Sequence, residues 1–293
     1  MSVGDDGAPR VTLVVCTRDR AAYLPTCLDA LRTLRPTIAW ELVLVDNGSV
    51  DETPRLLAAF GESAPFRVSL VRESRAGLAN AHNAGVRIAR GAVIAFIDDD
   101  CYPAPDLLDR WAQIFADESV GFAGGRVLLH DPDDAPVTIQ TSTDRIAIAP
   151  RGFVAPGIVK GANMAFRRDA LRAARGFDPA LGPGGSFNCE DVDTAARVAE
   201  LGYAGGYFPE PTVRHHHRRR LARDVETLRR SYAYGSGAYY ASLLLRGRAS
   251  RALASHLRGT WRAMSVRHAL FQLAGALHYL AYRARHGRAR ASL

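Results

Sequence analysis

Short apolar runs alternate with segments of helical spacing along the first hundred residues. Four such runs, rich in β-branched and large apolar residues, predict buried strands at 11–16, 41–45, 66–71 and 92–97. The segments between them predict helices at about 24–34, 52–60 and 77–90, because their apolar positions recur every three or four residues. Strict alternation of strands and helices predicts a Rossmann-like α/β fold with a doubly wound, mainly parallel sheet.

The pattern is less regular after residue 100. A helix is predicted at about 105–117, followed by a Gly/Pro-rich, irregular stretch up to residue 160. Further elements are predicted at 163–168 (strand), 190–201 (helix) and 203–208 (strand). From about residue 221 the chain is rich in Ala, Leu and Arg and is predicted to be helical, with the glycines of YGSG at 234–237 marking tight helix packing. We therefore predict an α/β domain at 1–220 and a helical extension at 221–293.

The charge is distributed unevenly between these two parts. The net charge is +8, yet residues 214–293 hold 17 arginines against Asp224 and Glu226, about +15. The remaining residues carry about −7. A helix at 268–282 could lie in a membrane interface, with arginines attracted to anionic lipid. A helical hairpin packed on the α/β domain and a homo-oligomer interface are the alternatives. Nucleic-acid binding is not expected, because aromatic platforms and known motifs are lacking.

The cysteines and the N-terminal residues bear on the cellular compartment. The four cysteines form no C-x-x-C pair, and MSVGDDGAPR is polar, without an apolar signal segment. The most apolar stretch, at 268–282, is too short to span a bilayer, which needs about 20 residues. We predict a cytoplasmic protein, with the inner face of the plasma membrane as an alternative location.

The end of the fourth strand carries three consecutive carboxylates, Asp98, Asp99 and Asp100. Ligands of doubly wound sheets bind at the carboxyl ends of the strands, and Asp46 ends the second strand at the same edge. Adjacent carboxylates repel one another unless a cation compensates them. Their oxygens suit Mg²⁺ or Mn²⁺, which could neutralise a leaving diphosphate. A solvated acidic turn is the alternative.

An ordered set of segments resembles family 2 glycosyltransferases of the GT-A fold. The resemblance covers about residues 10–217, and its segments are VVCTRDR (14–20), LVLVDNGSVDET (42–53), GLANAHNAGVRIARGAVIAFIDDDC (77–101), KGANMAFRRDAL (160–171), GFDPALGPGGSFNCEDVDTAARVAELGY (176–203) and PEPTVRHHH (209–217). It implies a nucleotide-sugar donor, UDP-linked by default with GDP and dTDP open, and inversion at the anomeric carbon. It also implies a divalent metal, Mn²⁺ or Mg²⁺.

The resemblance assigns roles to the acidic and histidine motifs. Asp100 is implied as a direct metal ligand, and Asp98 or Asp99 as a ribose contact or a further ligand. Asp191 matches the catalytic base, which must reach the acceptor hydroxyl, and Glu190 would orient the acceptor. Plain helix capping is the alternative for this pair. His215, and second His217, would complete the metal shell; otherwise the three histidines simply open the basic stretch that follows.

The remaining candidates are nucleotide-sugar contacts implied by the same resemblance. They are Thr17, Arg18, Asp19, Asp46, Arg75 and Asn163. Asp46 could instead cap a turn, and Arg75 could be a solvated loop residue. His82 departs from the family's usual Arg-Asn pair and is interpreted as a packing residue.

Three functions remain open to a chain of this kind. The first is an inverting glycosyltransferase whose acceptor is a lipid-linked saccharide, a polysaccharide or another hydroxyl compound. The second is a non-catalytic nucleotide-sugar-binding scaffold docked at a membrane, which the presence of Asp100 and Asp191 disfavours. The third is a nucleotidyltransferase, which would need a Gly-rich phosphate loop after the first strand, where VVCTRDR has none.

Overall fold

One mixed sheet forms the centre of the computed structural model, which describes residues 8–248, 250, 253–254, 256–259 and 265–287. Its strands, within that part of the chain, are β1 (Val11–Thr17), β2 (Trp40–Asp46), β3 (Val68–Arg72), β4 (Val93–Asp98), β5 (Cys101–Pro103), β6 (Val120–Leu129), β7 (Ile146–Ile148), β8 (Asn163–Arg167) and β9 (Ala204–His215). Their order is β3-β2-β1-β4-β8-β6-β9-β5, and β7 pairs with β9. The predicted α/β class is confirmed.

Helices cover both faces of this sheet and continue beyond it. They are α1 (Leu24–Leu31), α2 (Thr53–Ser63), α3 (Leu78–Ile88), α4 (Leu107–Ile114), α5 (Arg168–Ala173), α6 (Glu190–Glu200), α7 (Ala222–Leu245) and α8 (Val266–His286). One core cluster packs α3 and α6 onto the sheet, and a second packs α1, α2 and α4. The sheet is therefore buried on both sides, which explains why its first strands are almost entirely apolar.

The parallel half of the sheet brings the predicted polar residues to one edge. β2, β1 and β4 are parallel neighbours, and in their register Thr17 lies opposite Asp46 while Cys16 lies opposite Asp98. All three strands thus end at the same level. The three carboxylates that follow β4 lie at the crevice where ligands of doubly wound sheets bind.

The other half of the sheet departs from the predicted pattern. β8 is antiparallel to both β4 and β6, and β9 extends over twelve residues, well beyond the predicted 203–208. The stretch interpreted as irregular contains β6 and β7. Gly124 sits inside β6 because a Cβ there would lie 2.4 Å from the Ile158 carbonyl oxygen. Glycine marks a close backbone contact at this point, not a loop.

The C-terminal helices pack on the α/β part. The Tyr239 hydroxyl on α7 donates to the Val154 carbonyl at 2.7 Å, and α8 lies along α7. A Cβ on Gly237 or Gly275 would come within 1.9 Å of a backbone oxygen of the facing helix. The tight packing predicted for YGSG is confirmed.

The two long helices do not form the hairpin that the sequence suggested. α7 and α8 run in the same direction, because Glu226 faces Arg267 and, further along both helices, Tyr234 faces Gly275. Of the helices in the described part of the chain, none combines the length and the hydropathy needed to cross a bilayer. The predicted domain boundary at residue 220 stays a prediction.

Candidate active site

A cavity of about 810 Å³ opens at the carboxyl edge of β1 and β4. The loop before α6 and one face of α7 form its other walls. It brings together eight of the residues predicted from the sequence: Thr17, Arg18, Asp98, Asp99, Asp100, Glu190, Asp191 and His215. Segments that are up to 198 positions apart in the chain therefore share one enclosed space.

The three carboxylates after β4 are compensated unequally. Asp99 accepts a hydrogen bond from the Thr17 hydroxyl at 2.5 Å and pairs with Arg20 Nε at 3.2 Å. Asp100 pairs with Arg20 Nη2 at 2.9 Å and with His215 Nε2 at 3.2 Å. Among the described residues, the Asp98 carboxylate has neither a hydrogen bond nor an ion pair. Arg20, which sequence reasoning did not single out, is thus the main internal counter-charge.

The unequal compensation is reflected in the pKa values of Asp98, Asp100 and His215. Burial, and then the charge of Asp100, raises the pKa of Asp98 well above its usual range. Burial also acts against ionisation of Asp100, but His215 and Arg20 outweigh it and lower the pKa of that carboxyl. Burial alone would lower the pKa of His215, whereas its hydrogen bond and ion pair with Asp100 raise it. The cluster therefore contains one carboxylate for which a further cation would be favourable.

Asp98, Asp100 and His215 could together hold a metal ion. Potential ligand atoms of these residues and of Cys101 lie within 4.8 Å of one another. Burial raises the pKa of the Cys101 thiol well above its usual range, so it stays protonated and is a poor ligand for a hard ion. His215 is held in place from its other side, since Nδ1 lies 3.1 Å from the hydroxyl of Thr138.

Thr138 itself occupies a strained backbone conformation. Its φ angle is +60°, which a β-branched residue rarely adopts. Its side chain lines the cavity and contacts His215, so the strain is found where the site needs an oriented imidazole. No sequence signal pointed to this residue, because its position results from the folding of the loop before β7.

Glu190 and Asp191 begin α6 on the opposite wall of the cavity. Asp191 accepts hydrogen bonds from the backbone N–H groups of Val192, at 2.7 Å, and Gly161, at 3.0 Å. Burial raises the pKa of both carboxyl groups, and the charge of Asp191 raises the pKa of Glu190 further. Backbone hydrogen bonds and Lys160 favour the ionised form of Asp191. Asp191 is therefore the member of the pair that ionises first.

Three predicted nucleotide contacts lie outside the cavity lining, and their side chains bind neighbouring loop residues. Asp19 accepts a hydrogen bond from the Val50 N–H at 2.8 Å. Asp46 accepts one from the Ser49 N–H at 2.9 Å, while its Oδ2 is buried without a hydrogen bond. The Arg75 guanidinium binds Glu73 through two contacts of 2.9 and 3.0 Å. Side chains of this kind hold the loops that follow β1, β2 and β3.

Asn163 and His217 are also buried away from the cavity. Asn163 donates to the carbonyls of Arg126 and Pro211 at 3.0 and 2.9 Å, so it bridges β8, β6 and β9. His217 Nδ1 accepts from the Arg219 N–H and its Nε2 contacts the Ala135 carbonyl, which engages both ring nitrogens. Both His217 nitrogens are thus engaged outside the cavity, whereas His215 directs Nε2 at the Asp100 carboxylate, which lines the cavity.

Several cavity residues were missed by the sequence analysis. Besides Arg20 and Thr138, they include Lys160, Arg219 and Tyr232. Lys160 is the single lysine of the chain, and it lies beside Asp191. Arg219 and Tyr232 belong to the basic extension and the segment before it, where the sequence offered only helix-packing patterns.

Comparison with known proteins identifies the family. Residues 12–174 match the family described as "Glycosyl transferase family 2". The chain belongs to glycosyl transferase family 2. The match covers more than half of the sequence and includes β1 to β8. The family resemblance predicted from the ordered segments is therefore confirmed.

Two curated relatives are identical to this chain at about a quarter of the aligned positions. Glycosyltransferase AglE of Haloferax volcanii is 25% identical over 197 residues, covering 67% of this chain and 63% of that protein. The O-antigen chain rhamnosyltransferase RfbN of Salmonella typhimurium is 26% identical over 220 residues, covering 71% and 67%. A shorter match, at 35% identity over 125 residues, is to a PGL/p-HBAD biosynthesis glycosyltransferase of Mycobacterium tuberculosis and covers 48% of it.

Solved structures support the same architecture. Mannosyltransferase PcManGT from Pyrobaculum calidifontis, in complex with GDP-Man and Mn²⁺, has a TM-score of 0.66 and 26% identity. That match covers 98% of this chain and 77% of the other, so it includes the C-terminal helices. Staphylococcus aureus TarS in complex with UDP-GlcNAc has a TM-score of 0.55 at 14% identity, covering 80% and 71%, and shows the fold alone.

Proposed function

We propose that the protein transfers a sugar from a nucleotide-diphosphate sugar to an acceptor hydroxyl, with inversion at the anomeric carbon. One observation carries this proposal. The acidic end of β4 and the Glu190–Asp191 pair of α6 line one cavity of about 810 Å³. A group that could receive a leaving diphosphate and a group that could deprotonate a nucleophile are thus available to the same bound substrate.

In this mechanism Asp191 is the base. Its carboxylate is the member of the acidic pair that ionises first, and two backbone N–H groups fix its orientation. It takes the proton of the acceptor hydroxyl while that oxygen forms the bond to the anomeric carbon. The bond from the anomeric carbon to the diphosphate oxygen breaks on the opposite face of the sugar, and the nucleoside diphosphate leaves with the electron pair.

Glu190 complements this role in its protonated form. Burial and the neighbouring Asp191 charge raise its pKa well above the usual range, so it can donate a hydrogen bond to a sugar or acceptor oxygen. Lys160, Arg20 and Arg219 also line the cavity. These cations would favour the negatively charged diphosphate over neutral ligands.

A divalent ion fits the other end of the cavity. Asp98, Asp100 and His215 would hold it, since their ligand atoms cluster within 4.8 Å and Asp98 has no partner of its own among the described residues. Such an ion, Mn²⁺ or Mg²⁺, would neutralise charge on the leaving diphosphate. Arg20, bound to both Asp99 and Asp100, would keep the remaining carboxylates in place.

The donor is best sought among a small set of nucleotide sugars. PcManGT was solved with GDP-Man and TarS with UDP-GlcNAc, so these two donors come first, ahead of dTDP-sugars. The default of UDP stays a prediction. Because the chain covers about two thirds or less of several curated relatives, the acceptor, whether a lipid-linked saccharide or a polysaccharide, is likewise a proposal.

Slow hydrolysis of the donor in the absence of an acceptor tests the proposal. Each donor is incubated with Mn²⁺, Mg²⁺ or EDTA, and release of the nucleoside diphosphate is measured, alongside calorimetric binding of the metal alone. Asp100→Asn should weaken metal binding and abolish release, whereas Asp191→Asn should retain both metal and donor binding. Arg55→Gln, on the exposed surface of α2, serves as the control and should behave as wild type.

The outcomes separate the alternatives. Release of one nucleoside diphosphate that depends on metal and on Asp100 supports the transferase and names its donor. Tight binding of one donor with no release under any metal condition would favour the non-catalytic scaffold. Failure of every donor to bind would refute the proposal.

A further inference from the structure

The outer face of α8 carries a continuous apolar stripe. It is formed by Val266, Leu270, Leu273, Leu277 and Leu280, whose side chains are between 39 and 78% exposed. Their spacing of four and three residues places them within about 80° of one another around the helix. Because α8 has 21 residues, the stripe runs along an element about 31 Å long.

The stripe lies on the side of α8 that faces away from α7. The opposite side of α8 is packed on α7, where Gly275 lies against the Tyr234 backbone and Tyr279 is buried with Ala238. A helix whose two opposite faces are both apolar is unusual at the surface of a soluble domain. Packing on α7 accounts for the apolar residues of the inner face, but it does not account for those of the outer face.

The charge around the stripe indicates which kind of surface it would bind. The last 67 residues, 227–293, contain 12 arginines and neither Asp nor Glu. Arg267 and Arg285, both exposed, border the stripe on one side. Exposed alanines at 274 and 281 lie between the leucines and these cations, the exposed Ala284 continues the stripe, and α8 carries no acidic side chain of its own.

From these observations we infer that α8 docks on an anionic lipid surface, with the stripe buried among the acyl chains and the flanking arginines at the headgroups. An interfacial helix needs this combination of a narrow apolar face and cationic borders. A second copy of the chain would also cover the leucines. It would, however, pair two helices that carry arginines and no acidic residue of their own, whereas the flanking positions of a paired coil usually carry opposite signs. The acid nearest the stripe is Glu226 of α7, whose carboxylate lies 4.0 Å from the Arg267 guanidinium.

The geometry also indicates the orientation that the protein would have on this surface. The cavity is lined from α7 by Leu228, Tyr232 and Ser236, which recur every four residues along one side of the helix. The α8 contacts of α7 lie on its other side, at Arg230, Tyr234 and Gly237. The order is therefore cavity, α7, α8, stripe. Docking would hold the cavity at a fixed height above the bilayer and leave its lining residues free for substrate.

Vesicle flotation of the full chain tests this inference. The protein is mixed with vesicles of phosphatidylcholine alone or with added phosphatidylglycerol, at low and high salt. We expect binding only to the anionic vesicles, weakened by salt. Leu270→Gln/Leu277→Gln should lower the partition coefficient by about 30-fold, because each leucine loses part of its transfer from water. Arg267→Gln/Arg285→Gln should lower it by roughly 25-fold, since each cation contributes about fivefold.

Matched variants separate the stripe from general effects of hydrophobicity and charge. Leu70→Gln/Leu201→Gln removes two leucines of similar exposure from the α/β part, and Arg55→Gln/Arg110→Gln removes two exposed arginines there. Neither pair should change binding. Donor hydrolysis should be the same in the stripe variant as in wild type, so that the two proposals succeed or fail separately.

Three results would overturn the inference. The first is no binding to anionic vesicles. The second is binding that the stripe variant leaves unchanged, which would mean unspecific attraction of arginines to any polyanion. The third is a dimer, measured by light scattering after gel filtration, that the stripe variant converts to a monomer without any loss of vesicle binding, which would assign the leucines to a second copy.

Discussion

Replacing Arg246 by methionine should destabilise the protein by about 3 kcal/mol. Arg246, near the end of α7, binds two carboxylates of α6, Asp193 Oδ1 at 2.7 Å and Glu200 Oε1 at 3.1 Å. Asp193 is 2% exposed, and removal of one partner from a buried pair costs about 3–5 kcal/mol. The lower end applies, because Asp193 keeps Arg197 at 2.8 Å and Ser242 at 3.1 Å, and because Arg246 Nη2 is itself buried without a hydrogen bond.

Urea unfolding measures this difference, and a thermal scan should show a midpoint lower by about 6–10 °C. Arg248→Met is the matched control. It removes the same kind of charge two residues away, from an exposed arginine 3.7 Å from Glu200, and should cost less than about 1 kcal/mol. The loss of unfolding free energy caused by Arg246→Met should become smaller as the pH falls below the ordinary Asp range. Arg197 and Arg246 hold the pKa of Asp193 far below that range despite burial, so protonation of Asp193 removes the stabilisation that its pair with Arg246 provides. A loss no larger than in the control would refute the assigned role of the pair.

Three further predictions concern packing and ionisation. Gly275→Ala should destabilise by about 1–3 kcal/mol in urea, since its Cβ would meet the Tyr234 oxygen at 1.9 Å, whereas Gly259→Ala, with open space around it, should not. Burial lowers the pKa of His82 to about 3, so the unfolded chain binds more protons below pH 6.5 and stability falls on acidification, by about 2 kcal/mol at pH 5. His82→Phe should remove that slope, and an unchanged slope would exclude His82 as its cause. Transfer should increase with pH through an apparent pKa above the ordinary Asp value, because burial raises the pKa of Asp191, and a plateau extending down to pH 4 would contradict this.

The first half of the sheet could be predicted from sequence because its signals are local. β1, β2 and β4 are apolar runs with a polar residue at the exit, and their order along the chain places those exits at one edge. β6 could not be predicted in the same way. Gly124 allows close contact with the backbone of Ile158 and Val159, and Gly125 with the side chain of Asn163; such contacts depend on where distant segments lie. A Gly-rich strand in a close-packed position and a Gly-rich loop have the same local pattern.

The candidate site also has parts that the local sequence predicts and parts that depend on the folded chain. The acidic triplet and the Glu190–Asp191 pair could be located from strand and helix ends, but their compensation could not. Arg20 pairs with residues 79 and 80 positions away, which only the folded loop after β1 makes possible. His215 and His217 looked equivalent in HHH. They differ because His215 is still paired in β9, opposite Cys101, while His217 lies past the strand, next to Arg218 with its φ of +58°.

The α7 helix forms part of the cavity wall. α7 contributes Leu228, Tyr232 and Ser236 to the lining, and its Tyr239 is fully buried against the α/β part. Deleting residues 221–293 would therefore expose the core contacts of Tyr239 and open the cavity to water. We expect the truncated chain to be aggregation-prone and unable to bind a donor, as measured by gel filtration and calorimetry. A monomeric truncated chain that binds donor like the full chain would show that α7 only covers a site completed by residues 1–220.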